Sequence, residues 1–162
     1  MKDLLDKLSS YNVFNYLLPG VLFAVFVDRV TSLQVLQKDL VIGIFLYYFL
    51  GSIVSRIGAL AVEPLLRSVG FITFAPYEDF VRAAKLDPKL EILSEANNMY
   101  RTICALMISV AAVASYDYTA RYFAILRAAA PVVCIVGVLI LFLLSYRKQT
   151  SYITKRVAAN KQ

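Results

Sequence analysis

"LVIGIFLYYFLGSIVSRIGALAV", residues 40–62, is the stretch on which the fold turns. It carries a single charge, Arg56, and stops at Glu63-Pro64. A helix needs about 20 apolar residues to cross the ~30 Å hydrocarbon layer of a bilayer. Only a helix or a closed barrel satisfies its own backbone polar groups there. The stretch therefore reads as a transmembrane helix. A second run of the same kind, Ala128–Tyr146, ends at Arg147 and Lys148. Two shorter runs, Val13–Val27 and Thr102–Tyr116, reach spanning length only by taking in polar neighbours, as 12–30 and 99–118. A re-entrant segment, or a buried helix that does not reach lipid on both sides, is the other reading of each.

Composition agrees with a membrane chain. Of the 162 residues, 60% are hydrophobic and 17% charged, and the mean hydropathy is +0.67. A soluble domain is about half apolar with about a quarter of its residues charged, and one of this size leaves too much surface wet to hide the rest. The fold class expected is all-α: a polytopic membrane protein of four transmembrane helices, with residues 1–162 as one domain. Residues 63–98 form a cytoplasmic loop and helical extension within it.

The net charge of +6 is distributed around the spans, not in an aromatic-interleaved patch, so direct nucleic-acid binding is not expected. Four spans put Lys2, Lys7, Arg67, Arg82, Lys85, Lys89, Arg101, Arg147, Lys148, Lys155, Arg156 and Lys161 on one side. Arg29, Lys38, Arg121 and Arg127 fall on the other. Positive residues stay inside, which places both termini in the cytoplasm. Residues 1–8 read as a short amphipathic helix on the headgroup layer, with Ser9 or Ser10 as a break and cap; they lack the form of a secretory signal. Cys104 and Cys134 fall inside spans and read as small buried hydrophobes.

Helix signals refine the picture. Asp87-Pro88 suits a helix start, and no breaker follows before Asp117, which predicts one helix over 88–116. It is about 43 Å long, and its first three turns project into the cytoplasm. Ahead of it, Phe80, Val81 and Ala84 mark the inward face of a shorter amphipathic helix. The second span is expected to end at Glu63-Pro64, since proline disfavours helix in the residue before it. Gly51, Ser55 and Ala59 form a small-residue stripe that lets a second helix approach closely.

Three sets of polar residues stand out. Arg56 lies roughly 9 Å inside its span. Either it snorkels to the inner interface, or it pairs with Asn12, Asn15 or Glu63 as part of a gate, with Ser52 beside it on the same polar line. Pro19 removes a backbone donor from the first span, near Asn12 and Asn15, so that stretch is either a simple kink or the lining of a wet cavity. Glu91, Glu95, Asn98 and Thr102 share a helix face with Arg101 adjacent, at the entry of the third span. This is either a solvated face, a docking site for a cytoplasmic protein, or a clasp on the Arg56 region. Asp28, Arg29, Asp39, Asp117 and Arg121 read as structural loop charges on the far side.

Enzyme chemistry has little to build on. The chain has no histidine, so no His-based triad or zinc helix forms, and the two cysteines lack zinc spacing. No metal, cofactor or catalytic residue is expected.

"YNVFNYLLPG" at 11–20 and "SEANNMYRT" at 94–102, within four spans and cytoplasmic ends, resemble the small membrane subunits of bacterial anti-phage defence loci, the Kiwa membrane subunit among them. That resemblance implies a homo-oligomer in the inner membrane that senses infection and works with a cytoplasmic partner protein. Three functions are carried forward: a sensor or scaffold relaying membrane perturbation to that partner, an oligomeric ion channel, pore or small transporter, and a membrane enzyme, which lacks a catalytic constellation.

Overall fold

The computed structural model describes residues 13–159; Asn12, the amphipathic reading of 1–8 and the Ser9 or Ser10 cap lie outside them. All regular structure among the described residues is helical. Helix α1 (Leu18–Val30) is entered through a π-helical turn at Val13–Leu17. Helix α2 runs over Leu40–Ser68, α3 over Tyr77–Leu86, α4 over Lys89–Ala120 and α5 over Ala124–Ala159. Helices α2, α4 and α5 are long and apolar enough to cross a membrane. With its π turn, the described part of α1 extends about 27 Å, just short of the hydrocarbon thickness.

Hydrogen bonds at the two ends fix the helix directions. Asp117, near the end of α4, accepts from the backbone N–H and the hydroxyl of Ser32 in the α1–α2 connection. Glu63, near the end of α2, bonds Arg101 in α4 and Lys148 in α5. Helices α1 and α4 therefore run one way, and α2 and α5 the other.

Helix α2 is the central element. Against α1 it makes a backbone-to-backbone contact built from two copies of one pattern, Tyr16-x-x-x-Gly20 and Tyr47-x-x-x-Gly51. A Cβ on Gly20 would lie 1.7 Å from the carbonyl oxygen of Tyr47, and one on Gly51 would lie 1.7 Å from that of Tyr16. Each glycine thus faces the other helix's tyrosine carbonyl, and only a bare Cα fits. Against α4, Ser55 meets Thr102, 3.5 Å between hydroxyls. Val54 and Val62 of α2 join Val27 of α1 and Ala105, Leu106 and Val110 of α4 in the buried core. The small-residue stripe thus serves several neighbours, not one. In lipid, no hydrophobic drive separates these contacts from tail contacts, so close packing and polar pairs carry the association.

Helix α5 stands at the periphery. None of its most apolar 18-residue window is buried, so that face meets lipid or another protein. It is held at three heights: Phe142 stacks on Phe49 at 6.0 Å, Lys148 reaches Glu63, and Tyr152 packs on Tyr77 of α3 at 5.7 Å. Pro131 is accommodated without a break.

Two expectations are revised. Helix α2 does not stop at Glu63-Pro64. A π turn over Gly58–Val62 precedes the proline and widens the helix where its ring would strike the preceding turn. The same offset recurs in α1, where the π turn Val13–Leu17 precedes Pro19. The end comes at Ser68: Gly70 takes φ 73°, Phe71 N–H donates to Leu66 at 2.9 Å and Gly70 N–H to Arg67 at 3.1 Å, the two bonds of a glycine-closed C-terminus. Cys104 and Cys134, expected to be buried, are exposed on the bundle's outer surface, because α5 is peripheral and Cys104 faces away from α2. The long helix before and through the third run matches its expectation closely, 89–120 against 88–116. Phe80 and Ala84 are half-buried and Val81 is buried, as the pattern of α3 required.

Candidate functional site

The polar centre of the molecule is a three-helix ion cluster. Glu63 is buried, 8% exposed. One carboxylate oxygen accepts from Arg101 Nη1 at 2.6 Å and the other from Lys148 Nζ at 3.1 Å. Local backbone chemistry explains the lysine's position. Within the π turn, the N–H of Glu63 donates to Gly58, and Pro64 has no N–H to give. The carbonyl of Ala59 is thereby left without a helical donor, and Lys148 Nζ supplies one at 2.6 Å. A buried carboxylate is tolerated when it is paired and its remaining lone pairs are bonded. Here one residue from each of the three long helices meets at a single level. That level is where their apolar runs end: Val62 before Glu63, Thr102 after Arg101, Tyr146 before Arg147 and Lys148.

Arg56 lies seven residues before Glu63, about 10 Å along the helix. Its Nη2 donates to the hydroxyl of Tyr16 at 3.0 Å, and the Tyr16 ring packs edge-on against Tyr48 with centroids 5.5 Å apart. The acceptors expected for Arg56 were Asn12, Asn15 and Glu63; the structure gives it Tyr16, and gives Glu63 to Arg101 and Lys148. Asn15 and Pro19 are both buried. Ser52 donates back to the carbonyl of Phe49 at 2.7 Å, a local helix bond.

The second set divides. Arg101 turns inward to Glu63. Glu91 and Glu95 are exposed, Asn98 is half-buried, and the Asn98 carbonyl accepts from the Thr102 hydroxyl at 2.8 Å. The far-side charges organise loops. Asp28 accepts from the N–H groups of Val35 and Leu36, Asp39 caps α2 through Ile42 N–H at 2.9 Å, and Asp117 also holds Arg121 at 2.8 Å.

Sequence reasoning missed Lys148 and Tyr16 as members of the polar centre. A signal for the first was present: the three charges bounding the apolar runs on one side are of mixed sign and lie at one depth, where opposite charges find each other. Nothing local pointed to Tyr16, forty residues from Arg56. Among the described residues, no three His, Cys, Asp or Glu side chains group as a metal site. Compared with known proteins, the chain matches no family model, no curated protein and no solved structure.

Proposed function

We propose that the chain is a four-span subunit of a bacterial inner membrane, with both ends in the cytoplasm, that relays a change in the bilayer to a cytoplasmic protein partner. Its setting would be the anti-phage defence implied by the resemblance to Kiwa membrane subunits. One observation carries the relay. Helices α4 and α5 continue unbroken past the level of the ion cluster, α4 through Lys89–Tyr100 and α5 through its last turns to Ala159. Each extension is about 16–18 Å long. A tilt or slide of either helix in lipid therefore displaces its aqueous end, and Glu63 is the joint about which it moves. Four spans are supported by α1, which packs on α2 at Gly20 and Gly51 within the same slab as α4. A homo-oligomer is supported by the apolar face of α5. The protein acts without catalysis in this reading.

The test has two arms. Spin labels at Leu93→Cys and Ile153→Cys, both exposed positions, in a background with Cys104→Ala and Cys134→Ala, report the separation of the two extensions in nanodiscs of thin and thick lipid. The relay predicts a shifted distance distribution, and an identical one would rule it out. Co-purification of a soluble partner, lost on Glu95→Lys, places that partner on the exposed face of α4. The pore reading rests on Arg56, which bonds Tyr16 within one chain; ion flux through reconstituted liposomes would favour it over the relay.

A further inference from the structure

A cleft of about 590 Å³ opens between the end of α2 and the Lys148–Tyr152 turn of α5, lined by Glu63, Pro64, Arg67, Ser68, Lys148 and Tyr152 among others. Its charge is unbalanced. Among the described residues Glu63 is its one carboxylate, and Arg101 and Lys148 already bond it. Arg67 is a third cation. Its guanidinium sits 5.4 Å over the ring of Phe74, and among the described residues it makes no hydrogen bond or ion pair, so its N–H donors are unclaimed. Lys148 uses two of its three N–H groups on Glu63 and Ala59, and its ammonium lies 5.8 Å over the ring of Tyr152. Ser68 donates to the carbonyl of Leu65. What remains to be satisfied is a set of donors, from Arg67, Lys148 and the Tyr152 hydroxyl, which suits an acceptor-only anion.

Depth identifies the anion. The cleft lies where the apolar runs of the three long helices end, the level at which lipid phosphates sit. We propose that it seats the phosphate of an anionic phospholipid headgroup. A zwitterionic headgroup is disfavoured, because Glu63 is already doubly paired and, among the described residues, no second carboxylate lines the cleft to receive an ammonium. Cationic residues at this depth attract anionic lipid with a strength that adds per charge. The site rests on the membrane reading alone, so the relay can fail without affecting it.

The experiment is native mass spectrometry of the full chain in neutral detergent, titrated with phosphatidylglycerol or phosphatidylethanolamine. The wild-type protein retains phosphatidylglycerol in preference to phosphatidylethanolamine. Arg67→Gln, which leaves the Glu63 cluster intact, weakens phosphatidylglycerol about fivefold, the worth of one cation near an anionic surface, and leaves phosphatidylethanolamine unchanged. Tyr152→Phe gives a smaller loss of the same selectivity and serves if Arg67→Gln does not fold. Equal retention of the two lipids, or an unaltered preference in a folded variant, overturns the assignment. Displacement of bound lipid by inorganic phosphate would also overturn it, in favour of a soluble phosphate ligand.

Discussion

Gly51→Ala adds one methyl group to the centre of the α1–α2 contact. That methyl would lie 1.7 Å from the Tyr16 carbonyl oxygen, 2.6 Å from its carbon and 2.9 Å from the Gly20 nitrogen. All three atoms are backbone, so no side chain can rotate out of the way. A close carbon–oxygen contact across helices needs about 3.3 Å, and the helices must separate locally by about 1.5 Å to restore it. Overpacking of this kind costs about 1–3 kcal/mol, and rigid backbone on both sides puts it toward the upper end. The helix itself pulls the other way, since alanine is preferred to glycine in a helix interior by about 1 kcal/mol. The sign of the measured change therefore separates two explanations of the same residue. Gly137 is the internal control: it lies inside α5 with nothing within 4 Å of its added Cβ, so Gly137→Ala stabilises by up to about 1 kcal/mol. Unfolding in mixed SDS micelles, followed by circular dichroism, gives both numbers. Gly20→Ala mirrors Gly51→Ala, and the double variant costs less than the two singles together, because one separation of the helices makes room for both methyls. A Gly51→Ala protein as stable as the wild type would refute the backbone-contact reasoning.

Glu63→Gln leaves Arg101 and Lys148 facing each other without a carboxylate. Removing one partner of a buried pair costs about 3 kcal/mol, measured by the same unfolding experiment, and a change below about 0.5 kcal/mol would show that the cluster is not a structural joint. Tyr16→Phe removes the acceptor of Arg56 and costs about 1 kcal/mol, the scale of an interhelical hydrogen bond in a membrane; no loss would mean that Arg56 reaches the interface by itself. Asp117→Ala frees the Ser32 amide, whose hydrogen exchange accelerates while the α2–α4 core stays protected. Unchanged exchange at Ser32 would remove the tie that fixes the helix directions.

What could be read in advance follows from how local the deciding physics is. The start of α4 was legible because Asp87-Pro88 is a local signal, and its continuity because nothing in 89–116 breaks a helix. The helix runs past Asp117 because Arg121, one turn on, and Ser32, from the α1–α2 connection, satisfy that carboxylate; the second of these is a tertiary fact. The stop expected at Pro64 failed because a π turn absorbs a proline that an α-helix does not, and the true stop lay six residues on, at Gly70. The sequence leaves Arg56 open between snorkelling to the interface and pairing, since either relieves a charge inside a span. Its partner lies on another helix, and periodicity within one helix carries no information about that. The stripe at Gly51, Ser55 and Ala59 was legible as a close-approach surface. That Gly51 meets Gly20 in α1, while the carbonyl of Ala59 receives Lys148 from α5, depends on how the helices are arranged around α2.

The central claim is that the chain crosses the bilayer four times and returns both ends to the cytoplasm. Cysteine accessibility tests it most directly, in a background with Cys104→Ala and Cys134→Ala. Single cysteines are placed at Asp3→Cys, Gln34→Cys, Tyr122→Cys and Gln162→Cys, and intact spheroplasts are treated with a membrane-impermeant maleimide. The account predicts labelling at positions 34 and 122 from outside, and at 3 and 162 only after lysis. Labelling of position 3 from outside, with 162 still protected, would mean three crossings and contradict it.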